Sequence, residues 1–217
     1  MGSFEIVGVK PGKFITFEGG EGAGKSTQVK RLAAFLASHG NSVVETREPG
    51  GSPGAEEIRR LLVEGSVEKW DAISETLLLM AGRRSHLRDL VDPALQRGDW
   101  VLCDRFSDST IAYQGYGQGM DISIIHEIQL LAIGDVRPDL TLLLDIPAEE
   151  GLGRAAARGE AARYERMDID MHQRIREGFL EMAVAEPERF EVVDAQGTVE
   201  AIEIQIRNCI ERRIGLN

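Results

Sequence analysis

One glycine-rich stretch constrains this chain more than any other feature. It reads Gly19-Gly20-Glu21-Gly22-Ala23-Gly24-Lys25-Ser26-Thr27 and fits the pattern G-x-x-x-x-G-K-[ST] of a phosphate-binding P-loop. Glycines let the backbone wrap closely around an anion, and the helix that follows presents its positive N-terminal end to the same anion. Lys25 adds a positive charge for the terminal phosphates, and Ser26 offers a hydroxyl to Mg²⁺. These nine residues are therefore predicted to hold the phosphates of a nucleotide.

The segments on either side of the loop support this interpretation. Residues 13–18 are short, β-branched and aromatic, which indicates a buried strand. After the loop, Val29, Leu32, Ala33 and Leu36 recur at helical spacing. A glycine-rich turn in an unrelated α/β protein is the alternative, and it would not require a strand before the loop and a helix after it.

Composition limits the class of protein. A chain of 217 residues suits a single domain, here residues 1–217, with a large core. Its formal net charge of −11 argues against non-specific binding to nucleic acid. No run approaches the ~18 apolar residues of a membrane helix, and residues 1–12 lack the pattern of a signal peptide. We therefore expect a cytoplasmic protein with neither a membrane nor a nucleic acid as its partner.

Four further apolar runs predict strands, at residues 42–47, 100–104, 140–146 and 190–194. Helical patterns separate them, and one closes the chain at 198–213. Strands that alternate with helices imply crossover connections and a parallel sheet. The expected fold is α/β, with five parallel strands flanked by helices in three layers. Ligands of such a sheet bind beyond the carboxyl ends of its strands.

Polar side chains fall at those carboxyl ends. Arg47 ends the second predicted strand, and Asp104 and Arg105 follow the third. Asp104 is a candidate to orient Mg²⁺ together with Ser26, since a carboxylate commonly faces the P-loop hydroxyl. Arg47 and Arg105 are candidates to bind a second anion opposite the nucleotide. The alternative for each arginine alone is a solvated surface charge.

At this point the chain resembles the thymidylate kinases. The resemblance rests on Phe17-Glu18-Gly19 before the P-loop, on Thr46-Arg47-Glu48-Pro49-Gly50-Gly51, and on Asp104-Arg105 with Ser109-Thr110 and Tyr113-Gln114-Gly115. It runs from about Phe14 to Asp194. It implies a P-loop NTPase fold with a small mobile lid, and a homodimer. It also implies transfer of the γ-phosphoryl group of ATP to dTMP with Mg²⁺, which gives dTDP and ADP in dTTP biosynthesis.

The resemblance also implies residue roles. Arg47 and Arg105 would grip the acceptor phosphate, and Glu21 would face the 3′-hydroxyl of the acceptor sugar. Arg83 would read a thymine carbonyl, and the ring of Tyr113 would occupy the place of a 2′-hydroxyl. The implied acceptor-binding set is Glu21, Arg47, Leu79, Arg83, Arg105, Ser109, Thr110, Tyr113 and Gln114. Leu79 departs from the family pattern, which usually stacks an aromatic ring on thymine at this position.

Residues 151–168 resemble the lid of the bacterial form of the family. Members whose P-loop lacks arginine place the charge-neutralising arginine in this lid, and the P-loop of this chain contains none. Arg154 and Arg158 are therefore the main candidates. Together with Lys25, Arg105 and Glu21 they form the predicted catalytic set.

Two other functions stay open at the level of sequence. The first is a P-loop kinase that acts on another nucleotide or on a nucleoside. The second is a nucleotide-dependent switch, which would hydrolyse ATP or GTP slowly whatever acceptor is present. Residues 121–133 and the long helix from Asp71 are where a dimer interface is expected, although apolar faces there could equally be buried within one chain.

Overall fold

A computed structural model describes residues 12–157 and 163–215 of the chain. All five predicted strands are present in it as one parallel sheet. Their bounds are β1 Lys13–Glu18, β2 Val43–Arg47, β3 Trp100–Asp104, β4 Leu140–Asp145 and β5 Phe190–Asp194. The predicted α/β class is therefore confirmed.

The strand order is β2-β3-β1-β4-β5, with every neighbouring pair parallel. β1 lies at the centre, so the P-loop that follows it leaves from the middle of the sheet edge. Phe17 is opposite Asp104 in the register of β1 and β3, and Arg47 is opposite Asp104 in that of β2 and β3. The register thus brings the P-loop, Arg47 and Asp104-Arg105 to one edge, as the sequence predicted.

Helices connect the strands and cover both faces of the sheet. In chain order they are α1 Lys25–Ser38, α2 Pro53–Val63, α3 Ala72–His86, α4 Asp92–Gln96, α5 Ser107–Thr110, α6 Ile122–Ile133, α7 Ala148–Ala156, α8 Ile169–Ala185 and α9 Val199–Arg213. α3 continues into α4 through a π-helical turn at Leu87–Val91, and α5 continues as the π-helical segment Ile111–Gly117. The predicted segments 198–213 and 121–133 begin one residue before α9 and α6 and end with them. None of the described helices is long and apolar enough to cross a membrane.

The core lies on both faces of the sheet because alternate side chains of a strand point in opposite directions. Ile15 and Phe17 of β1 pack on one face with apolar residues of α1 and α9. Phe14 packs on the other face with Val101 and the helical residues 87–94. Leu143 of β4 joins a third cluster built with α6 and α8. A strand with apolar residues on both sides explains the continuous apolar runs in the sequence.

The start of α7 packs directly against the P-loop. A Cβ atom on Gly22, whose φ is 70°, would lie 1.9 Å from the carbonyl oxygen of Gly151. In the opposite direction, a Cβ atom on Gly151 would lie 2.3 Å from the carbonyl oxygen of Glu21. Only glycine fits at both positions. The first residues of the predicted lid segment 151–168 are therefore helical and fixed against the loop.

Candidate active site

The P-loop connects β1 to the N-terminus of α1, as predicted. Gly24 precedes the helix in a left-handed conformation, with φ 91°. The Lys25 ammonium is buried and donates to the carbonyl oxygens of Gly19 at 3.1 Å and Gly20 at 2.7 Å. Burial lowers the pKa of Lys25 from 10.5 to about 8, and the charge of Arg105 acts in the same direction. Lys25 therefore still carries most of its positive charge near neutral pH.

Ser26 and Asp104 meet beside the loop. The Oγ of Ser26 donates to Oδ2 of Asp104 at 2.6 Å, across 78 residues of sequence. A hydroxyl and a carboxylate oxygen are ligands that suit Mg²⁺, which takes one or two protein oxygens and keeps most of its water. The two side chains thus fit the predicted metal position.

Arg105 is the centre of the acceptor side. Its backbone is left-handed, with φ 73°, which is uncommon for a residue other than glycine. Nη1 donates to the carbonyl oxygen of Gly19 at 3.0 Å and to Oγ of Ser109 at 3.1 Å. Nη2 donates to Oε1 of Glu21 at 2.9 Å and to Oη of Tyr113 at 2.8 Å. One guanidinium therefore connects the P-loop to the helix that follows β3.

Charge around Arg105 is balanced by Glu21. Burial would raise the pKa of the Glu21 carboxyl, but the charges of Arg105 and Lys25 outweigh it and lower the pKa from 4.5 to about 2. The hydroxyl of Tyr113 donates to the same Oε1 at 2.7 Å. Burial raises the pKa of Tyr113 well above its usual value, so its hydroxyl keeps its proton. The three side chains form one rigid hydrogen-bonded cluster.

An open cleft of about 250 Å³ lies between this cluster and α2, α3 and α5. The structure brings all nine residues of the predicted acceptor-binding set to its wall, and Ser26 and Asp104 line it too. Sequence reasoning missed seven of its lining residues: Glu48, Pro49, Arg59, Val63, Phe106, Tyr164 and Glu165. Glu48 and Pro49 lie in the segment quoted with Arg47. Arg59 carries no sequence signal, because nothing in the sequence distinguishes it from its neighbour Arg60.

Arg83 enters the cleft from α3 and is held almost without exposure to solvent. Its Nε donates to Oε2 of Glu48 at 2.7 Å, and its Nη2 donates to the carbonyl oxygen of Phe106 and to Oγ1 of Thr110. His86 lies one turn further along α3, and its Nδ1 is 3.0 Å from Oε1 of Glu48. The missed residue Glu48 thus fixes the predicted base-reading arginine.

Two predicted acceptor-binding residues, Arg47 and Ser109, also form hydrogen bonds or ion pairs with other side chains of the protein. Arg47 is half-exposed and pairs with Glu56 of α2 at 3.1 Å. Ser109 accepts from Arg105 and donates to Oε2 of Glu18 at 2.6 Å, so it supports Arg105 as well as lining the cleft.

Glu18 ends β1 and is completely buried. Its Oε1 accepts from the backbone N–H groups of Phe106 at 2.8 Å and Ser109 at 3.3 Å. Burial, followed by the nearby charge of Asp108, raises the pKa of Glu18 from 4.5 to about 7, although these hydrogen bonds and Arg105 act against the rise. Glu18 therefore holds the turn that carries Arg105.

The arginines predicted to act from the lid are not found in the wall of the cleft among the residues that the structure describes. Arg154 donates to the carbonyl oxygens of Ala195 at 2.8 Å and Gln196 at 3.1 Å, beyond β5, and it does not line the cleft. Arg158 lies outside the described residues. Arg163 is buried and pairs with Glu75 of α3, a contact that no pattern in the sequence predicts.

Comparisons with known proteins agree with this geometry. A family model described as thymidylate kinase matches residues 17–206. The chain is 51% identical over 205 residues to the thymidylate kinase of Caulobacter vibrioides, over 94% of this chain and 99% of that protein. It is 46% identical over 209 residues to the thymidylate kinase of Geobacter sp. (strain M21), over 94% and 93%. The solved thymidylate kinase from Ehrlichia chaffeensis is 35% identical with a TM-score of 0.76, over 93% of this chain and 100% of that chain.

A P-loop at the end of the central strand, with an arginine-lined cleft beside it, defines a P-loop kinase, an enzyme that transfers phosphoryl groups. The family model matches nearly the whole chain, and about half of the aligned residues are identical to those of the Caulobacter vibrioides protein. The chain belongs to the thymidylate kinase family, whose reaction is the phosphorylation of dTMP with ATP as donor. The resemblance predicted from the sequence is confirmed.

Proposed function

We propose that this site transfers the γ-phosphoryl group of ATP to dTMP, with the P-loop holding ATP and the cleft holding dTMP. The observation that carries the proposal is the Arg105 cluster. Its guanidinium lies between the P-loop carbonyl of Gly19 and the cleft residue Tyr113. A cation at that point reaches both the phosphate of the acceptor and the group in transfer.

Phosphoryl transfer asks the protein mainly for alignment and positive charge. An oxygen of the dTMP phosphate attacks the γ-phosphorus in line, and the bond to the β–γ bridging oxygen breaks. That phosphate is largely ionised near neutral pH, because its second pKa is about 6. No strong general base is needed. Lys25 and Arg105 stabilise the negative charge that spreads over the transferred group, and Arg47 binds the acceptor phosphate from the opposite side.

The acceptor sugar lies against Glu21 and Tyr113 in this proposal. Tyr113 is nearly buried and its hydroxyl is bonded to Glu21, so its ring is held in one place. A fixed ring at the 2′ position favours deoxyribose by excluding a hydroxyl there. Glu21 keeps its negative charge at all physiological pH values and accepts a hydrogen bond from the 3′-hydroxyl.

Ser26 and Asp104 would hold Mg²⁺ bound with ATP, as their hydroxyl and carboxylate oxygens suit it. The ion supplies neutralising charge for the β- and γ-phosphates. The segment 151–168 acts as the lid of a single kinase domain and excludes water that would otherwise hydrolyse ATP. Arg154 and Arg158 supply its positive charge.

The proposed working form is a homodimer. Large apolar side chains are exposed on α3 and α6, two helices that pack against each other. They are Ile73 and Leu77 on α3, and Ile124, Leu130 and Leu131 on α6, with Leu131 exposed to 90%. Exposed apolar side chains clustered on two adjacent helices are typical of a protein interface.

Replacing Arg105 with Lys tests the acceptor site. Lys keeps the charge but loses the planar fork that bonds four partners at once. We expect kcat/KM for dTMP to fall about 100-fold, the usual size of losing a donor to a developing charge. The matched control is Arg88→Lys, at an exposed arginine whose ion pair within residues 12–157 and 163–215 is with its neighbour Asp89. A wild-type kcat/KM for dTMP in Arg105→Lys would contradict the proposal.

A further inference from the structure

A buried carboxylate lies behind the wall of the cleft, on α3. Glu75 is 0% exposed, and its Oε1 accepts from Nε2 of Gln114 at 2.6 Å and from Nε2 of Gln118 at 3.0 Å. Its Oε2 accepts from Nη1 of Arg163 at 2.5 Å. The hydroxyl of Tyr164 also hydrogen-bonds to it. Every one of these partners is a donor, as a carboxylate requires.

This contact fixes the orientation of the Gln114 amide. A carboxylate paired with arginine accepts hydrogen bonds and donates none, so Gln114 must present its NH₂ group to Glu75. The carbonyl end of the amide then points away from Glu75. Oε1 of Gln114 is buried and has no hydrogen-bond partner among residues 12–157 and 163–215. Gln114 also lines the cleft, beside Thr110 and Arg83. An unpaired buried acceptor therefore belongs to a side chain in the wall of the space proposed for the base.

We propose that Glu75 is a positioning residue that selects the acceptor base: by holding Nε2 of Gln114, it turns Oε1 toward the cleft, where this oxygen accepts the N3–H of thymine. The inference rests on the proposed function of the cleft. Thymine and uracil carry a hydrogen at N3, whereas cytosine presents a lone pair there. An acceptor fixed at this point matches the first two bases and opposes the third.

The salt bridge to Arg163 allows only one orientation of the side chain at position 75, with an acceptor toward the arginine. Arg163 is 1% exposed, its Nε donates to the carbonyl oxygens of Ser66 and Val67, and its guanidinium has no acceptor to offer. Whatever side chain replaces Glu75 must therefore turn an acceptor toward Arg163. A buried ion pair often adds no net stability over a well-packed apolar pair. Its effect here is on the direction of the Gln114 amide.

Replacing Glu75 with Gln gives the sharpest test. The new amide must place its oxygen toward Arg163 and its NH₂ toward Gln114. Gln114 then turns its own oxygen toward residue 75 and its NH₂ toward the cleft. The measurement is the ratio of kcat/KM for dTMP to that for 5-methyl-dCMP, since these acceptors differ only at N3 and the group on C4. We expect Glu75→Gln to lower this ratio at least tenfold, as a mismatched buried hydrogen bond commonly does.

A second variant guards against misfolding. Glu75→Met with Arg163→Met removes the ion pair as a pair, so that no lone charge stays in the core. The Gln114 amide is then free to turn, and the same ratio is expected to fall. Gln118→Ala is the control, because it removes a partner of the same Glu75 oxygen without touching the cleft. It should keep the wild-type ratio.

The outcomes separate the inference from the proposed function. If the wild-type protein does not phosphorylate dTMP, the proposed function fails and the inference fails with it. If the wild-type protein prefers dTMP and the folded Glu75 variants keep that preference, only the inference is overturned. A merely structural role for Glu75 would lower activity toward both acceptors equally and leave the ratio unchanged.

Discussion

Replacing Glu18 with Gln should change how the free energy of unfolding depends on pH. The folded protein raises the pKa of Glu18 from 4.5 to about 7, chiefly through burial. Between these two pH values the folded chain holds a proton that the unfolded chain has released, so the stability of the wild-type protein falls as pH rises through this window. The full cost of ionising Glu18 in the fold is about 3 kcal/mol, and about 2 kcal/mol of it develops between pH 5 and pH 8.

Glutamine has no such titration. Relative to the wild-type protein, Glu18→Gln is therefore expected to gain about 2 kcal/mol of stability on going from pH 5 to pH 8. Equilibrium urea unfolding at both pH values measures this difference of differences. Glu45→Gln, at an exposed position of β2, is the control for the removal of one carboxylate charge. If Glu18→Gln and the wild-type protein show the same pH dependence, the reasoning on Glu18 is wrong.

The same substitution should also lower activity. Ser109 donates to Oε2 of Glu18 and accepts from Arg105, so an ionised Glu18 orients the serine as an acceptor for the arginine. A glutamine NH₂ at that position donates to Ser109 and turns the serine hydrogen toward Arg105. Loss of one hydrogen bond to a charged group predicts a fall in kcat/KM for dTMP of about tenfold. Comparing variant and wild-type protein at equal pH removes the titration of dTMP itself from the result.

Two further predictions concern the lid and the dimer. Arg154→Ala should lower kcat for dTMP-dependent ADP release about tenfold or more while KM for dTMP changes little, because Arg154 is proposed to stabilise the negative charge of the phosphoryl group in transfer. A normal kcat would show that Arg154 is not one of the catalytic arginines of the lid. Leu131→Arg should shift the sedimenting species from dimer to monomer, because it places a charge in the proposed interface at a position that is 90% exposed in one chain. A wild-type protein that already sediments as a monomer would contradict the proposed interface.

Local patterns made the fold and the P-loop predictable. The motif and the strand before it are contiguous in sequence, and the continuous apolar runs reflect strands covered on both faces. Parallel strands place their carboxyl ends on one edge, which is why the sequence alone groups Arg47, Asp104 and Arg105. The strand order does not follow from such patterns, since it depends on which strands pair in space.

Supporting residues could not be predicted in the same way. Arg163 and Glu75 are 88 residues apart, and each alone resembles a solvated charge on a helix. Glu18 stands next to the P-loop, but its partners Phe106 and Ser109 follow β3 and lie 88 and 91 residues away in sequence. Their roles depend on burial, which no periodicity in the sequence reports. For Arg154 the resemblance predicts a place in the lid, whereas in the structure its guanidinium donates to the carbonyl oxygen of Ala195, beyond β5.

The most direct test of the central claim is the dependence of ATP turnover on the acceptor. ADP release from Mg·ATP would be measured without acceptor and with dTMP, dUMP or thymidine, and the phosphorylated product identified in each case. The account predicts rapid turnover with dTMP, formation of dTDP, and little ADP release with thymidine, which lacks the phosphate that Arg47 and Arg105 bind. ADP release that is the same with and without dTMP would contradict it.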